Sequence, residues 1–351
     1  MTDELILKSL QRAVNNANTF NNYKARFATM LKKKGFLGAT IAAIASEPDK
    51  YWPPLQVAYP NSVSSRRSMV TAVLAVHKHV PGFKDAHKAA CETWKKRFDE
   101  LQMLHDDRLK DNRLSERQKE AYVSYDEIRA QFLRMKKESD PHATKKTSLH
   151  YVLLAILLDL PPTRADLGSL LVTTRELHRG DMNYIVLLSP NGVAFGAGAR
   201  STASEGKRRS ITNNSYIVLN IYKTAKKYHR MDLEISPRTT MVIRDSLRRW
   251  PRKYLFTNTR NEPFDNHTYA QFVQRSFNNM FGRKTGMSLL RHIFISEQAD
   301  LATMSERDKQ KLAEKMMHSV KEQMTTYRYV DHMDTRQLCD CSCDCKEATK
   351  A

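Results

Sequence analysis

The chain has 351 residues, enough for two domains that each bury a core, although length alone does not fix the count. Fifty-eight lysines and arginines against 38 acidic residues give a net charge of +20, which favours a polyanionic partner such as nucleic acid, a bias that ribosomal, capsid and membrane-surface proteins share. The longest apolar run, around Tyr151 to Leu158, is well short of the roughly 20 residues that cross a bilayer, and the N-terminus lacks a charged and apolar leader, so a soluble intracellular protein without a membrane partner is expected.

Residues 1 to 138 read as a helical domain. Leu5, Leu7, Leu10, Ala13 and Val14 recur at near-helical spacing, as do Tyr23, Phe27, Met30 and Leu31. Trp52-Pro53-Pro54 marks a loop, Ser68 to His77 a further helix, and Ala89 to Leu109 a long one with Trp94, Phe98, Leu101 and Leu104 on one stripe. Ser115-Glu116-Arg117-Gln118 has the form of a capping box, in which side chains satisfy free amides at a helix start, and that helix is expected to run to about Lys137.

The polar stretch 139–147 reads as an interdomain linker, and 148–335 as a second domain of mixed α+β character. A buried helix from Leu149 to Leu158 reaches Pro161-Pro162, and another helix is expected to start near Thr163, since proline suits a first turn. Tyr184 to Ser189, Ser215 to Tyr222 and Asp232 to Ile235 are β-branched or alternating runs, as for a small antiparallel sheet; helical patterns return after Pro237 and persist through Arg328. Half of the net charge lies between Arg200 and Lys253, where 14 basic residues face four acids. Residues 336–351 read as a disordered tail. Cys339, Cys341, Cys343 and Cys345 alternate there, unlike the two-residue gaps of structural zinc sites; soft-metal binding or redox sensitivity is the competing reading.

An ordered set of charged and polar residues spans the second domain. A phosphodiester under attack gains negative charge, so cutting it without metal requires preorganised guanidinium groups, a proton donor for the leaving oxygen, and a nucleophile held in line. Arg164, in Pro161-Pro162-Thr163-Arg164-Ala165-Asp166-Leu167, is one guanidinium candidate, with Asp166 placed to orient it; taken singly it reads as a solvated charge. Lys223 follows a strand-like run on an expected hairpin, where its ammonium either donates a proton or simply grips phosphate; Lys226 and Lys227 are further donors. Arg291 lies in the apolar segment Leu289 to Ile295, which would bury it and demand an anionic partner, with Glu297 or Asp300 available for a purely structural ion pair. His318, beside Met316 and Met317, taken singly reads as a satisfied core histidine. Tyr327 stands nine residues beyond it, and a phenol of pKa about 10 attacks at neutral pH only where cations surround its target.

In this order the residues resemble a tyrosine recombinase of the phage-integrase type, over roughly residues 148–330. Members of that family carry an arginine near a helix start followed by an acid, a lysine on a β-hairpin, a His-x-x-Arg-His segment, a Gly-His-Ser segment and a downstream tyrosine. The resemblance puts these roles on Arg164, Lys223, Arg291, His318 and Tyr327. Ser288 replaces the first histidine of His-x-x-Arg; it can hydrogen-bond a phosphate oxygen but cannot serve as an imidazole. Met317 replaces the usual glycine, and Tyr329 is a second phenol close to Tyr327. Pro-Pro-Thr-Arg-x-Asp and His-Ser-x₃-Gln-x₃-Tyr resemble the forms found in recombinases of large eukaryotic DNA viruses and related mobile elements.

The resemblance implies a core-binding domain at 1–138 and a catalytic domain at 148–335, clamping duplex DNA between them. It implies strand cleavage through a 3′-phosphotyrosyl bond, with no metal or other cofactor, and four protomers on two DNA sites. Lys207, Arg208, Arg209, Lys226 and Lys227 are candidates for holding the DNA backbone. For a viral protein the place of action would be the host nucleus or a viral replication site. A type IB topoisomerase, a DNA-binding protein of the same fold that has lost cutting, and a basic virion structural protein are the alternatives.

Overall fold

The computed structural model describes residues 1–110, 114–138, 140–188, 214–299, 301 and 303–324. It is mainly helical with one small sheet, and it forms two compact units, Met1–Asp111 and Asn112–Ala351.

The first unit consists of α1 (Asp3–Ala13), α2 (Ala17–Leu31), α3 (Ile41–Ser46), α4 (Pro48–Ala58), α5 (Val63–His79), α6 (Phe83–Ala86) and α7 (Lys88–Lys110). Helix α5 lies at its centre, in contact with α1, α2, α3, α6 and α7, and buries Val70, Val73 and Val76. Ile6, Leu10, Phe27, Met30 and Trp94 close around it. Two ring nitrogens in this core share one acceptor: His77 Nε2, at 3.0 Å, and Trp94 Nε1, at 3.2 Å, both meet the carbonyl of Ala45.

Two expectations for this unit need correction. Trp52-Pro53-Pro54 lies inside α4 rather than in a loop. Packing outweighs the lost amide donors: Pro54 presses on Gly35 so closely that a Cβ on the glycine would sit 2.5 Å from the proline Cβ. On α7, Trp94 and Leu101 are buried as the stripe predicts, but Leu104 is exposed and outside the unit's core.

The second unit begins earlier than the composition implies. Its first helices, α8 (Glu116–Glu120) and α9 (Tyr125–Glu138), lie upstream of the 139–147 stretch; Val123, Tyr125, Ile128 and Phe132 share one core with α10 (Lys145–Asp159). Phe132 stacks on Tyr151 with ring centroids 4.5 Å apart. The expected single helix from Ser115 to Lys137 is broken at Ala121–Ser124. The Ser115 capping box is present, and Ser124 starts a new helix by a reciprocal pair of its own: its Oγ accepts from the Glu127 amide at 3.1 Å while Glu127 Oε2 accepts from the Ser124 amide at 2.9 Å. The break is clasped from the far end of the unit, by Arg283 to Glu127, Thr285 to the Ala121 carbonyl, and Tyr122 to Glu297.

Helix α10 is buried on all sides, as its unbroken apolar run requires. After Pro161-Pro162 the chain makes only a 3-10 turn, Ala165–Leu167, not the longer helix expected. Gly168 follows it, where a Cβ would sit 2.7 Å from Tyr269 Cβ, and the chain continues into β1 (Leu171–Thr173). The sheet continues with β2 (Tyr184–Val186), β3 (Tyr216–Leu219) and β4 (Met231–Glu234), in the order β1-β2-β3-β4. It is mixed rather than antiparallel, because the unanticipated β1 pairs parallel to β2, with Leu171 beside Tyr184. The other pairs are antiparallel, with Ile185 beside Ile217 and Ile217 beside Leu233. One face packs Ile185, Ile217, Leu219 and Leu233 into the main core, and the other buries Tyr184, Val186 and Val218. Between β3 and β4 runs the short helix α11 (Ala225–Tyr228). There follow α12 (Pro237–Arg249), α13 (Asn266–Phe281), α14 (Met287–Glu297), α15 (Glu306–Lys315) and α16 (Val320–Glu322). No helix among the described residues is long and apolar enough to cross a membrane.

Candidate functional site

Helix α14 carries Arg291 into the interior, flanked by Leu290 and Ile293, and leaves it 2% exposed. Its partners include two backbone carbonyls and a ring nitrogen. Nη1 donates to the Pro162 carbonyl at 3.1 Å, while Nη2 donates to the Met316 carbonyl at 2.8 Å and lies 2.8 Å from His318 Nδ1. Glu297 instead takes the Tyr122 hydroxyl and the Tyr125 amide, and Asp300 lies outside the described residues. One guanidinium thus joins the segment before Arg164 to the segment that carries His318.

His318 owes its position to the way α15 ends. The Met317 amide bonds to the Glu314 carbonyl at 2.9 Å and the His318 amide to the Ala313 carbonyl at 3.0 Å, the two bonds of a Schellman turn. That turn requires left-handed backbone at Met317, whose φ is 59°. It is the place where glycine is at least cost. The methionine side chain is fully buried against the main core. Burial, followed by the Arg291 charge, lowers the His318 pKa to about 4, with Arg164 adding to the effect and the contact with Gln323 opposing it. At neutral pH the imidazole is therefore uncharged.

Arg164 precedes the 3-10 turn in extended conformation, and its Nη1 is buried without a hydrogen-bond partner. Asp166, two residues on, is 4% exposed, and its Oδ2 is likewise unbonded. Burial raises the Asp166 pKa to about 6 against the opposing pull of Arg164 and Arg291. Two guanidinium groups, one imidazole and one carboxyl from three separate segments therefore share a buried electrostatic neighbourhood.

Lys223 is exposed on the turn between β3 and α11, as expected of a residue on a strand connection. The next residue ties that turn to the site, with Thr224 Oγ1 donating to the Met317 carbonyl at 3.3 Å. Tyr222 closes the turn from the other side by donating to the His229 carbonyl at 2.5 Å. Lys226 and Lys227 are exposed on α11. Ser288 is exposed on the first turn of α14, and among the described residues no hydrogen bond joins it to the buried set. Tyr327, Tyr329, Lys207, Arg208, Arg209 and the four cysteines of the tail lie outside the described residues.

Two residues that sequence reasoning did not single out hold the arrangement together. Asn183, 6% exposed, accepts at Oδ1 from the Asn220 and Ile221 amides, both at 2.8 Å. Through Nδ2 it donates to the carbonyls of Ile221, at 2.8 Å, and Asp166, at 3.3 Å. It thereby joins the Arg164–Asp166 turn to the strand end that leads to Lys223. Gln323, fully buried, faces the other edge of the His318 ring. Asn183 carries no sequence signal apart from being a polar residue next to an apolar strand; Gln323 lies within the His-Ser-x₃-Gln-x₃-Tyr pattern, without a role assigned there.

No protein-family profile matches the chain, and no curated protein matches its sequence. Among solved structures it is similar to a chain described as the crystal structure of XerA recombinase, with 15% identity over 96% of this chain and 95% of that one and a TM-score of 0.37. Identity and score at that level carry no residue roles from one chain to the other.

Proposed function

We propose that the protein cuts and rejoins duplex DNA one strand at a time, as a site-specific recombinase, through a covalent 3′-phosphotyrosyl bond at Tyr327. Arg164 and Arg291 hold the non-bridging oxygens of the scissile phosphate, and His318 donates a hydrogen bond to one of them. Lys223, on its exposed turn, protonates the leaving 5′-oxygen, and Ser288 assists. The phosphotyrosyl bond conserves the energy of the broken phosphodiester, so rejoining requires no nucleotide. Lys207, Arg208, Arg209, Lys226 and Lys227 grip the backbone, and four protomers assemble on paired sites.

The observation that supports this reading is the convergence of Arg164, Arg291 and His318, with the Lys223 turn bonded to the same helix end. A cluster of two permanent cations, a neutral imidazole and one weak acid suits an oxyanion that gains charge in the transition state. The unbonded Arg164 Nη1 is a donor suited to such an acceptor.

Incubation with nicked suicide duplexes tests it. The wild-type chain is expected to form a DNA adduct that maps to Tyr327, Tyr327→Phe to form none while binding DNA with similar affinity, and Tyr329→Phe to retain the adduct. An adduct at Tyr329 would move the nucleophile, and none on any substrate would leave a DNA-binding protein. One observation favours that second reading: Arg291 donates to two backbone carbonyls of its own chain, as a structural arginine does. Relaxation of supercoiled DNA without strand exchange would instead indicate a type IB topoisomerase.

A further inference from the structure

The His318 ring is held from both edges. Arg291 Nη2 lies 2.8 Å from Nδ1, and a guanidinium nitrogen can only donate. Nδ1 is therefore the acceptor, and the single hydrogen of the neutral ring resides on Nε2. Gln323 Oε1 lies 3.3 Å from that atom, so the amide presents its oxygen to the ring. The Gln323 amino group is buried without a hydrogen-bond partner. Its side chain is brought there by α16, which Ser319 begins by accepting from the Glu322 amide at 3.1 Å.

We infer that Gln323 is a positioning residue for His318: its carbonyl fixes the ring plane and supports the Nε2–H tautomer, so that the site presents a neutral hydrogen-bond donor to a phosphate oxygen. This deepens the proposed function and rests on His318 as a phosphate ligand. The contact at 3.3 Å is long enough to be shared with, or surrendered to, an entering oxygen.

A neutral amide is the group this position requires. A carboxylate there would favour the imidazolium, whose second hydrogen would occupy Nδ1 and displace Arg291. A hydrocarbon would leave the Nε2 hydrogen without its acceptor. Among the described residues, Arg291 from α14 and Arg164 from the turn after α10 bear on the ring, with Asp166 beside both arginines. Lys223 stands one residue before Thr224, which is bonded to Met317. An added negative charge at 323 would thus be felt by an imidazole already surrounded by cations.

The test is a nitrogen-15 NMR titration of the histidine rings in the full chain, followed by adduct formation on nicked duplex. Wild-type His318 is expected as the Nε2–H tautomer at neutral pH, with a protonation midpoint well below the ordinary value of about 6.5. Gln323→Glu should raise that midpoint by at least about one pH unit, roughly tenfold in proton affinity, and should shift the acid limb of adduct formation upward by the same amount. Gln323→Leu should leave the midpoint no higher and slow adduct formation at least about tenfold with DNA affinity unchanged. A merely structural glutamine would give less folded protein in both variants, with the His318 midpoint of the folded fraction unmoved. That result overturns the inference, as does an Nδ1–H tautomer in the wild-type chain, which no folding defect can obscure. The NMR readout does not depend on cutting, so the expected titration in a chain that forms no adduct would overturn the proposed function and leave the Gln323 contact standing.

Discussion

Asp166 and His318 lie in the same buried neighbourhood and respond to pH in opposite senses. For Asp166 the folded pKa of about 6 exceeds the unfolded value of about 3.9. Between those values the folded chain keeps a proton that the unfolded chain has released, so this residue's contribution to stability falls as pH rises, and above about 6 the fold carries a buried ionised carboxyl. For His318 the folded value of about 4 is below the unfolded value of about 6.5, so its contribution is present above 6.5 and lost as pH falls to 4. Asp166→Asn should therefore become more stable relative to wild type, by about 2 to 3 kcal/mol, as pH rises from about 4 to 6.5 in urea titrations. Met317 offers a second residue-scale test. Gly and Ala both delete its buried side chain, but only Gly is free of strain at φ 59°, so Met317→Gly should exceed Met317→Ala in stability by about 1 kcal/mol. At ordinary helical positions that order is reversed. Arg164, Arg291 and His318 could be picked out by type and order, because guanidinium and imidazole are named by the chemistry they perform; the phenol of Tyr327 lies outside the described residues. What satisfies Arg291 could not: the sequence offers Glu297 and Asp300 as partners, and the structure uses two carbonyls and a ring nitrogen from distant segments.

At the scale of elements, what the sequence displays is periodicity, and what it conceals is tertiary override. The apolar run of α10, the Ser115 cap and the strands around Ile185, Ile217 and Leu233 could all be read directly, because side-chain pattern decides them. The prolines of α4 could not, since packing against Gly35 holds them in the helix; nor could the left-handed methionine after α15, whose local turn its residue type disfavours. The second capping pair, Ser124 with Glu127, was visible in principle but lay inside the helix expected to run from Ser115 to about Lys137. Asn183 belongs with the concealed features. Removing its amide in Asn183→Ala would leave the partly buried Asn220 and Ile221 amides without their acceptor. Hydrogen exchange at those two amides should accelerate at least about tenfold, and the variant should lose about 2 to 4 kcal/mol of stability. Exchange that accelerated only at the chain termini would show that Asn183 does not hold the Lys223 strand end.

For the whole molecule, the division at Asp111–Asn112 makes a prediction that the composition-based linker at 139–147 contradicts. A fragment starting at Asn112 retains Val123, Tyr125, Ile128 and Phe132 in the core of the second unit, whereas one starting at Asp140 removes all four. Each such side chain contributes about 1.5 to 3 kcal/mol when buried, so the shorter fragment should lose more than about 5 kcal/mol and show no cooperative urea transition. The longer one should unfold cooperatively. Equal stability of the two would place the boundary back in the 139–147 stretch. The polar run misleads because a surface connection between two helices of one core is as hydrophilic as a tether between cores; what distinguishes them is the apolar face of α9, which only its partner α10 identifies.

Helix α15 presents a largely exposed outer surface, yet three constraints meet at its last turn: Met316 receives Arg291, Met317 receives Thr224, and His318 follows at once. One residue inserted or deleted between Glu306 and Lys315 would rotate that end by about 100° and shift it by about 1.5 Å, taking both carbonyls away from their donors. The outward positions of this segment are thus free to drift in identity while its length is not. It acts as a ruler, tolerant of substitution and intolerant of insertions and deletions.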